Sequence, residues 1–144
     1  MATLLEEDKI SLDALCNILK SASLGAEILN GRVYLPKVNP SDDPRALSLE
    51  IELHKPDRFL LLIGGSGLGS GNLDAFINRL NLNELVPSFS WFVEEDADQG
   101  TLTARYFMSI AGGLIDEQLV SMVRRLSAEV TDGITKYDTD KLVI

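Results

Sequence analysis

One cysteine, Cys16, and one histidine, His54, are all that this 144-residue sequence offers of the two side chains most used for metal binding and nucleophilic chemistry. A lone cysteine closes no intrachain disulfide, and it cannot build a cysteine-based zinc site. Cys16 sits among Leu12, Leu15 and Leu19 with no histidine near it in sequence to activate it, so it is expected to be an inert core thiol. One histidine also excludes hydrolytic triads of the usual composition. Long apolar runs are missing too. No stretch approaches the ~20 apolar residues of a membrane span, and "MATLLEEDKI" has neither the basic start nor the apolar run of a signal peptide. A soluble, cytoplasmic domain is expected. Positive charge is scarce: 13 Lys and Arg stand against 22 Asp and Glu, a net charge of −9, and Arg124-Arg125 are the only adjacent basic residues. Nucleic acid is an unsuitable partner for such a surface, because binding phosphates requires lysine and arginine to displace counterions.

What is present is ordinary for one globular domain spanning 1–144: 45% hydrophobic and 24% charged residues. A chain of this length buries roughly 68–70% of its unfolded surface, enough for a core without staples. "SLDALCNILKSASLG" carries Leu12, Leu15, Cys16 and Leu19 at helical spacing, with Ser11 as N-cap and Gly25 as stop. "AEILNGRVYLP" places Asn30-Gly31 between two short apolar runs, which predicts a hairpin of residues 26–29 and 32–36. "KVNPSDDPR" reads as a loop. Leu47, Leu49, Ile51 and Leu53 alternate with Ser48, Glu50, Glu52 and His54, the pattern of a strand with one wet face. After a turn at Lys55-Pro56-Asp57, Phe59 to Ile63 read as a more completely buried strand. Leu73, Phe76, Ile77 and Leu80 predict a second helix, "SFSWFVEED" and "TLTARYFMSI" a second hairpin, and Ile115, Leu119, Met122, Val123, Leu126, Val130 and Ile134 a long last helix starting near Asp116. The expected fold is α+β: an antiparallel sheet flanked by three helices, in the order α-β-β-β(-β)-α-β-β-α.

The glycines of "LLLIGGSGLGSGNLDAF" invite a phosphate-binding reading, since a glycine-rich turn between strand and helix is a common anion cradle. The sequence fails the specific tests. Gly64 and Gly69 have P-loop spacing, but Ser70 and Gly71 follow where lysine and a hydroxyl residue belong. A G-x-G-x-x-G pattern from Gly65 meets Ser70 in its third position, and one from Gly67 meets Asn72. Glu94 and Glu95 stand about where a ribose-binding acid would, yet too little chain follows them for a doubly wound sheet. The expectation is a flexible connection, with Gly65, Gly67, Gly69 and Gly71 as a candidate mobile loop and nucleotide binding there as a rival reading. No cofactor is expected.

His54, Glu50 and Glu52 share one strand face about 7 Å apart per step, which does not converge on a metal. A solvated face is expected, as it is for the acidic clusters Glu6-Glu7-Asp8 and Glu94-Glu95-Asp96-Ala97-Asp98. The last hairpin is more informative. Phe89, Trp91 and Val93 share a face, as do Leu102, Ala104, Tyr106, Met108 and Ile110; Phe92 and Phe107 then fall on the opposite face beside Ser90, Thr103, Arg105 and Ser109. Aromatics on a face that should be wet suggest a subunit or peptide contact, unless a helix covers both sides of the sheet.

The stretch "AFINRLN" through "VPSFSWFVEED" and "GTLTARYFMSIAGGLIDEQL" into the last helix, about half of the chain, resembles the YbjN family of small bacterial proteins. The matched features are a helix ending at Leu80-Asn81, a two-strand hairpin, Gly112-Gly113 and the amphipathic helix that follows. The family is similar in fold to type III secretion chaperones. "LNGRVYL", "KVNPSDDPR" and the glycine stretch depart from its pattern at the sheet edge. The resemblance implies a non-enzymatic regulator, a homodimer and a protein partner, or an exported-protein segment if the chaperone likeness governs. It supplies no catalytic residues. Phe92, Phe107, Arg105 and Phe76 are the candidate partner or dimer contacts.

Overall fold

The computed structural model describes residues 2–36, 47–68, 75, 88–93 and 100–138. Among the described residues eight strands and two α-helices follow one another: β1 (Leu4–Leu5), a short 3-10 turn (Glu7–Lys9), α1 (Leu12–Ser21), β2 (Glu27–Leu29), β3 (Arg32–Leu35), β4 (Leu47–His54), β5 (Phe59–Leu68), β6 (Ser88–Val93), β7 (Gly100–Ser109), β8 (Leu114–Ile115) and α2 (Asp116–Tyr137). The expected helix around Leu73–Leu80 lies outside the described residues, apart from Ala75. Six strands form one antiparallel sheet in the order β2-β3-β4-β5-β7-β6, and β1 pairs with β8 in a separate two-stranded ladder. The α+β class is as expected. None of the described helices is long and apolar enough to cross a membrane.

Local chemistry accounts for the element boundaries. The Ser11 hydroxyl accepts the Ala14 N–H at 3.1 Å and so starts α1. The helix ends short of Gly25. Ser23 takes the left-handed conformation (φ +63°), and the N–H groups of Ser23 and Leu24 donate to the Lys20 and Leu19 carbonyls at 3.0 Å, a Schellman closure with serine where glycine is usual. Leu24 then packs against the core, which draws the chain in one turn early. Asn30 (φ +53°) and Gly31 (φ +75°) make the tight turn that pairs β2 with β3. At the next turn the Arg58 N–H donates to the Lys55 carbonyl at 3.1 Å, and Arg58 itself has φ +60°.

The core lies between the sheet and the two helices. Val33, Leu35, Leu49, Ile51, Leu60, Leu62, Leu102 and Ala104 point from the strands into it. Leu15, Cys16 and Leu19 meet them from α1, and Leu119, Val123, Leu126, Val130 and Ile134 from α2. The helical stripe is therefore the buried face, and Cys16 is a buried free thiol. Ile115 belongs to β8 and caps α2 rather than joining its stripe.

Two expectations about the central strand are corrected. Phe59–Ile63 is not buried on both sides: Leu60 and Leu62 are fully buried, whereas Phe59, Leu61 and Ile63 are half-buried on the face away from the helices. The strand also does not stop at Ile63. Gly64, Gly65 and Gly67 continue it to Leu68, paired on one side with β4 (Gly64 with Leu49, Gly65 with Ser48) and on the other with β7 (Gly64 with Ala104, Gly65 with Thr103, Gly67 with Thr101). Residues without side chains weaken a strand's intrinsic preference, but here a ladder on both flanks overrides it.

Candidate protein-contact face

The site follows from register. Residues directly opposite in an antiparallel ladder share a face, so the sheet surface away from the helices can be read row by row. One row runs Glu27, Tyr34, Glu50, Ile63, Arg105. The next holds Leu29 opposite Arg32, then Glu52, Leu61 and Phe107. The third is His54, Phe59, Ser109. The surface is divided: Arg32, Glu50, Glu52 and His54 lie on β3 and β4, and the apolar Phe59, Leu61, Ile63 and Phe107 on β5 and β7, with Arg105 among them.

On the charged half Arg32 spans two carboxylates, 2.6 Å from Glu50 and 2.9 Å from Glu52. The Glu50 hydrogen bond chiefly, with Glu52 behind it, raises the guanidinium's pKa further, against partial desolvation. Glu52 also lies 3.0 Å from His54 Nε2. The three residues considered as metal ligands thus share a face as expected, but an arginine occupies the space between the two glutamates. Among the described residues no three His, Cys, Asp or Glu side chains gather to hold a metal.

On the apolar half, His54 stacks on Phe59 (ring centroids 4.6 Å apart, 15° between planes), and Phe59 meets Phe107 edge-on (5.4 Å, 64°). Phe107 is 62% exposed. Arg105 is exposed beside it. Thr103, two residues further along the same face, is only 5% exposed, so the face is open at the Phe107 end and closed at Thr103.

Of the residues singled out from the sequence, the structure brings Phe107 and Arg105 together. Phe92 does not join them. It pairs with Thr101, six positions from Phe107 along β7, or about 20 Å at ~3.3 Å per residue; its side chain lies outside the described residues, as does Phe76. Gly65 and Gly67 are strand residues in the ladder, which corrects their placement in a loop, while Gly69 and Gly71 lie outside the described residues. With Gly64, Gly65 and Gly67 engaged in β5, three of the five glycines lack the turn conformation that a phosphate cradle requires. The residues that sequence reading missed are Phe59, Leu61, Ile63 and Arg32. The Asn30-Gly31 turn places Arg32 at the start of β3, opposite Leu29, but the β3–β4 register that sets it against the glutamates of β4 had no local sequence signal.

A second concavity, about 500 Å³, lies between the helices, lined by Asn17, Ile18, Ala22, Asp116, Val120 and Arg124 among others. Its polar groups serve the fold. The Asp116 carboxylate accepts the Thr3 and Glu117 N–H groups at 2.8 Å, and Arg124 donates to the Ala22 carbonyl at 3.2 Å.

The acidic N-terminal cluster is not merely solvated. Arg58 donates to both Glu7 oxygens, at 2.7 and 2.8 Å, and the Gly112 N–H donates to Glu7 Oε1 at 2.8 Å.

The sequence matches no protein-family profile and no curated relative. Among solved structures the chain is similar to YbjN from E. coli, whose assignment as a transcription regulator is provisional: TM-score 0.71 at 18% identity, over 94% of this chain and 96% of that one. The fold is YbjN-like.

Proposed function

We propose that this chain is a non-enzymatic regulatory domain of the YbjN type, working in the cytoplasm by contact with another protein and forming a homodimer. The contact surface is the open end of the outer sheet face. One observation carries this reading: Phe107, a large aromatic, stands 62% exposed on a sheet face that bears no described helix, propped by Phe59 rather than sunk into the core. Folding alone gives no reason to place it there, whereas exposed aromatics next to arginine are the usual anchors of protein interfaces. The YbjN-like fold agrees with a regulatory role by analogy of architecture, which is weaker support than the site itself.

The test is co-purification of partners from the native host with wild type and with Phe107→Ser, together with the mass of the purified protein in solution. Loss of a partner, or of self-association, in a variant that keeps its circular dichroism supports the reading. The same partners and the same mass in both proteins would sink it.

A further inference from the structure

The described arginines differ in one respect. Arg32 is paired with Glu50 and Glu52, Arg58 with Glu7, and Arg125 with Glu129 at 3.7 Å; Arg124 donates to the Ala22 carbonyl. Among the described residues, Arg105 has neither a carboxylate nor a carbonyl partner. Its surroundings explain this. Ile63 stands across the ladder from it on β5 and Ser88 on β6, and Phe107 is its next neighbour on the same face. The nearest carboxylate in its own row, Glu50, is two strands away beyond Ile63, or about 10 Å at ~4.8 Å per strand. That carboxylate is already held by Arg32. A guanidinium presents five N–H donors in a fixed planar fork matched to a carboxylate. Here the fork is exposed, without a partner among the described residues, and bordered by Ile63 and Phe107, whose apolar side chains would shield a pair it formed.

Resting on the reading of this face as a protein contact, we infer that the partner presents a carboxylate flanked by aliphatic or aromatic side chains, gripped by Arg105 while its neighbours pack on Phe107, Ile63 and Leu61. Such an acidic-apolar segment suits the patch on both counts. A basic segment would meet Arg105 with like charge; the Glu50–Arg32–Glu52 cluster keeps one net negative charge, but Glu50 lies two strands away from Arg105, beyond Ile63.

The experiment uses the full chain on an array of nine-residue peptides in which Leu and Phe alternate with Ser, the central residue being Glu, Gln or Lys. Wild type should retain Glu-centred peptides about tenfold better than Lys-centred ones. Arg105→Glu should reverse that order, Arg105→Gln should abolish it, and Phe107→Ser should weaken all three classes alike. Both positions are exposed, and circular dichroism of each variant checks that it is folded. Equal retention of Glu- and Lys-centred peptides by wild type, with Phe107→Ser still weakening them, would overturn the inference and leave the contact face standing. Retention indifferent to Phe107→Ser would remove the face and the inference together.

Discussion

Arg58 grips Glu7 with two hydrogen bonds, at 2.7 and 2.8 Å, across 51 residues of chain. The same arginine accepts the Ile110 N–H on its backbone carbonyl at 3.0 Å, and Glu7 takes the Gly112 N–H. Three segments distant in sequence therefore meet at one ion pair: the N-terminal stretch, the β4–β5 turn and the β7–β8 turn. The Arg58 hydrogen bond, then that of Gly112, holds the Glu7 carboxyl down from its ordinary 4.5 to about 2. The folded pKa lies below the unfolded one, so the contribution is fully present above pH about 4.5 and fades as pH falls toward 2. A carboxyl-carbon NMR titration should place Glu7 near that lower value. Arg58→Met should move its midpoint up toward 4.5, though not the whole way, because the Gly112 bond remains. A wild-type midpoint near 4.5 would show that the pair is absent in solution.

Gly112 and Gly113 should respond differently to alanine. Gly112 (φ +83°) faces open space, so its methyl group costs only the left-handed backbone, about 1 kcal/mol. At Gly113 (φ +113°) a Cβ would stand 2.8 Å from the Leu5 carbonyl oxygen and 3.1 Å from Leu4 Cδ1. Gly113→Ala must push β1 off β8, and a loss of at least about 2 kcal/mol in denaturant unfolding is expected. Equal losses for the two variants would mean that β1 does not dock as described.

Ser23 closes α1 in a conformation that costs a non-glycine residue about 1–2 kcal/mol. Ser23→Gly should stabilise the protein by about 0.5 kcal/mol, the relief being partly offset by the greater entropy of glycine in the unfolded chain. A thermal melt reads this as a small rise in Tm. A fall would show that the serine side chain holds something that glycine cannot.

Phe107 and Leu62 lie on opposite faces of the same pair of strands and should separate stability from binding. Leu62 is fully buried, so Leu62→Ala should cost about 2–5 kcal/mol. Phe107→Ser should change stability by no more than about 0.5 kcal/mol, since the residue is largely in water and its main contact is the edge of Phe59. Urea titration of both variants checks the pair. A Phe107→Ser loss approaching that of Leu62→Ala would place Phe107 in the core.

The parts of the fold that could be read from the sequence were those where one local rule acts alone. Ser11 capped, Asn30-Gly31 turned, and the stripe from Leu119 to Ile134 buried itself as its spacing predicts. Where two rules competed, the longer-range one won. Gly64, Gly65 and Gly67 look like a loop because glycine is poor in strands, yet β7 pairs with all three and β4 with Gly64 and Gly65. Phe59–Ile63 looks buried throughout because an all-apolar run hides its alternation, and only its partners show which side is wet. The candidate face was half visible. Phe107 and Arg105 could be assigned by counting twos along β7, but the distance to Phe92 needed the register of β6, and the neighbouring Phe59 and Leu61 needed that of β5.

The ladder between β1 and β8 also has a consequence in time. Thr3 and Asp116, bonded through the Thr3 N–H and the aspartate carboxylate, stand 113 positions apart. During synthesis at about 5–20 residues per second, β1 therefore waits roughly 6–23 s for its partner strand to be added. Throughout that interval Leu4 and Leu5 have no β8 to pair with. The strand made earliest among those described is one of the last to find its place, and a nascent chain stalled before residue 114 would still carry β1 undocked.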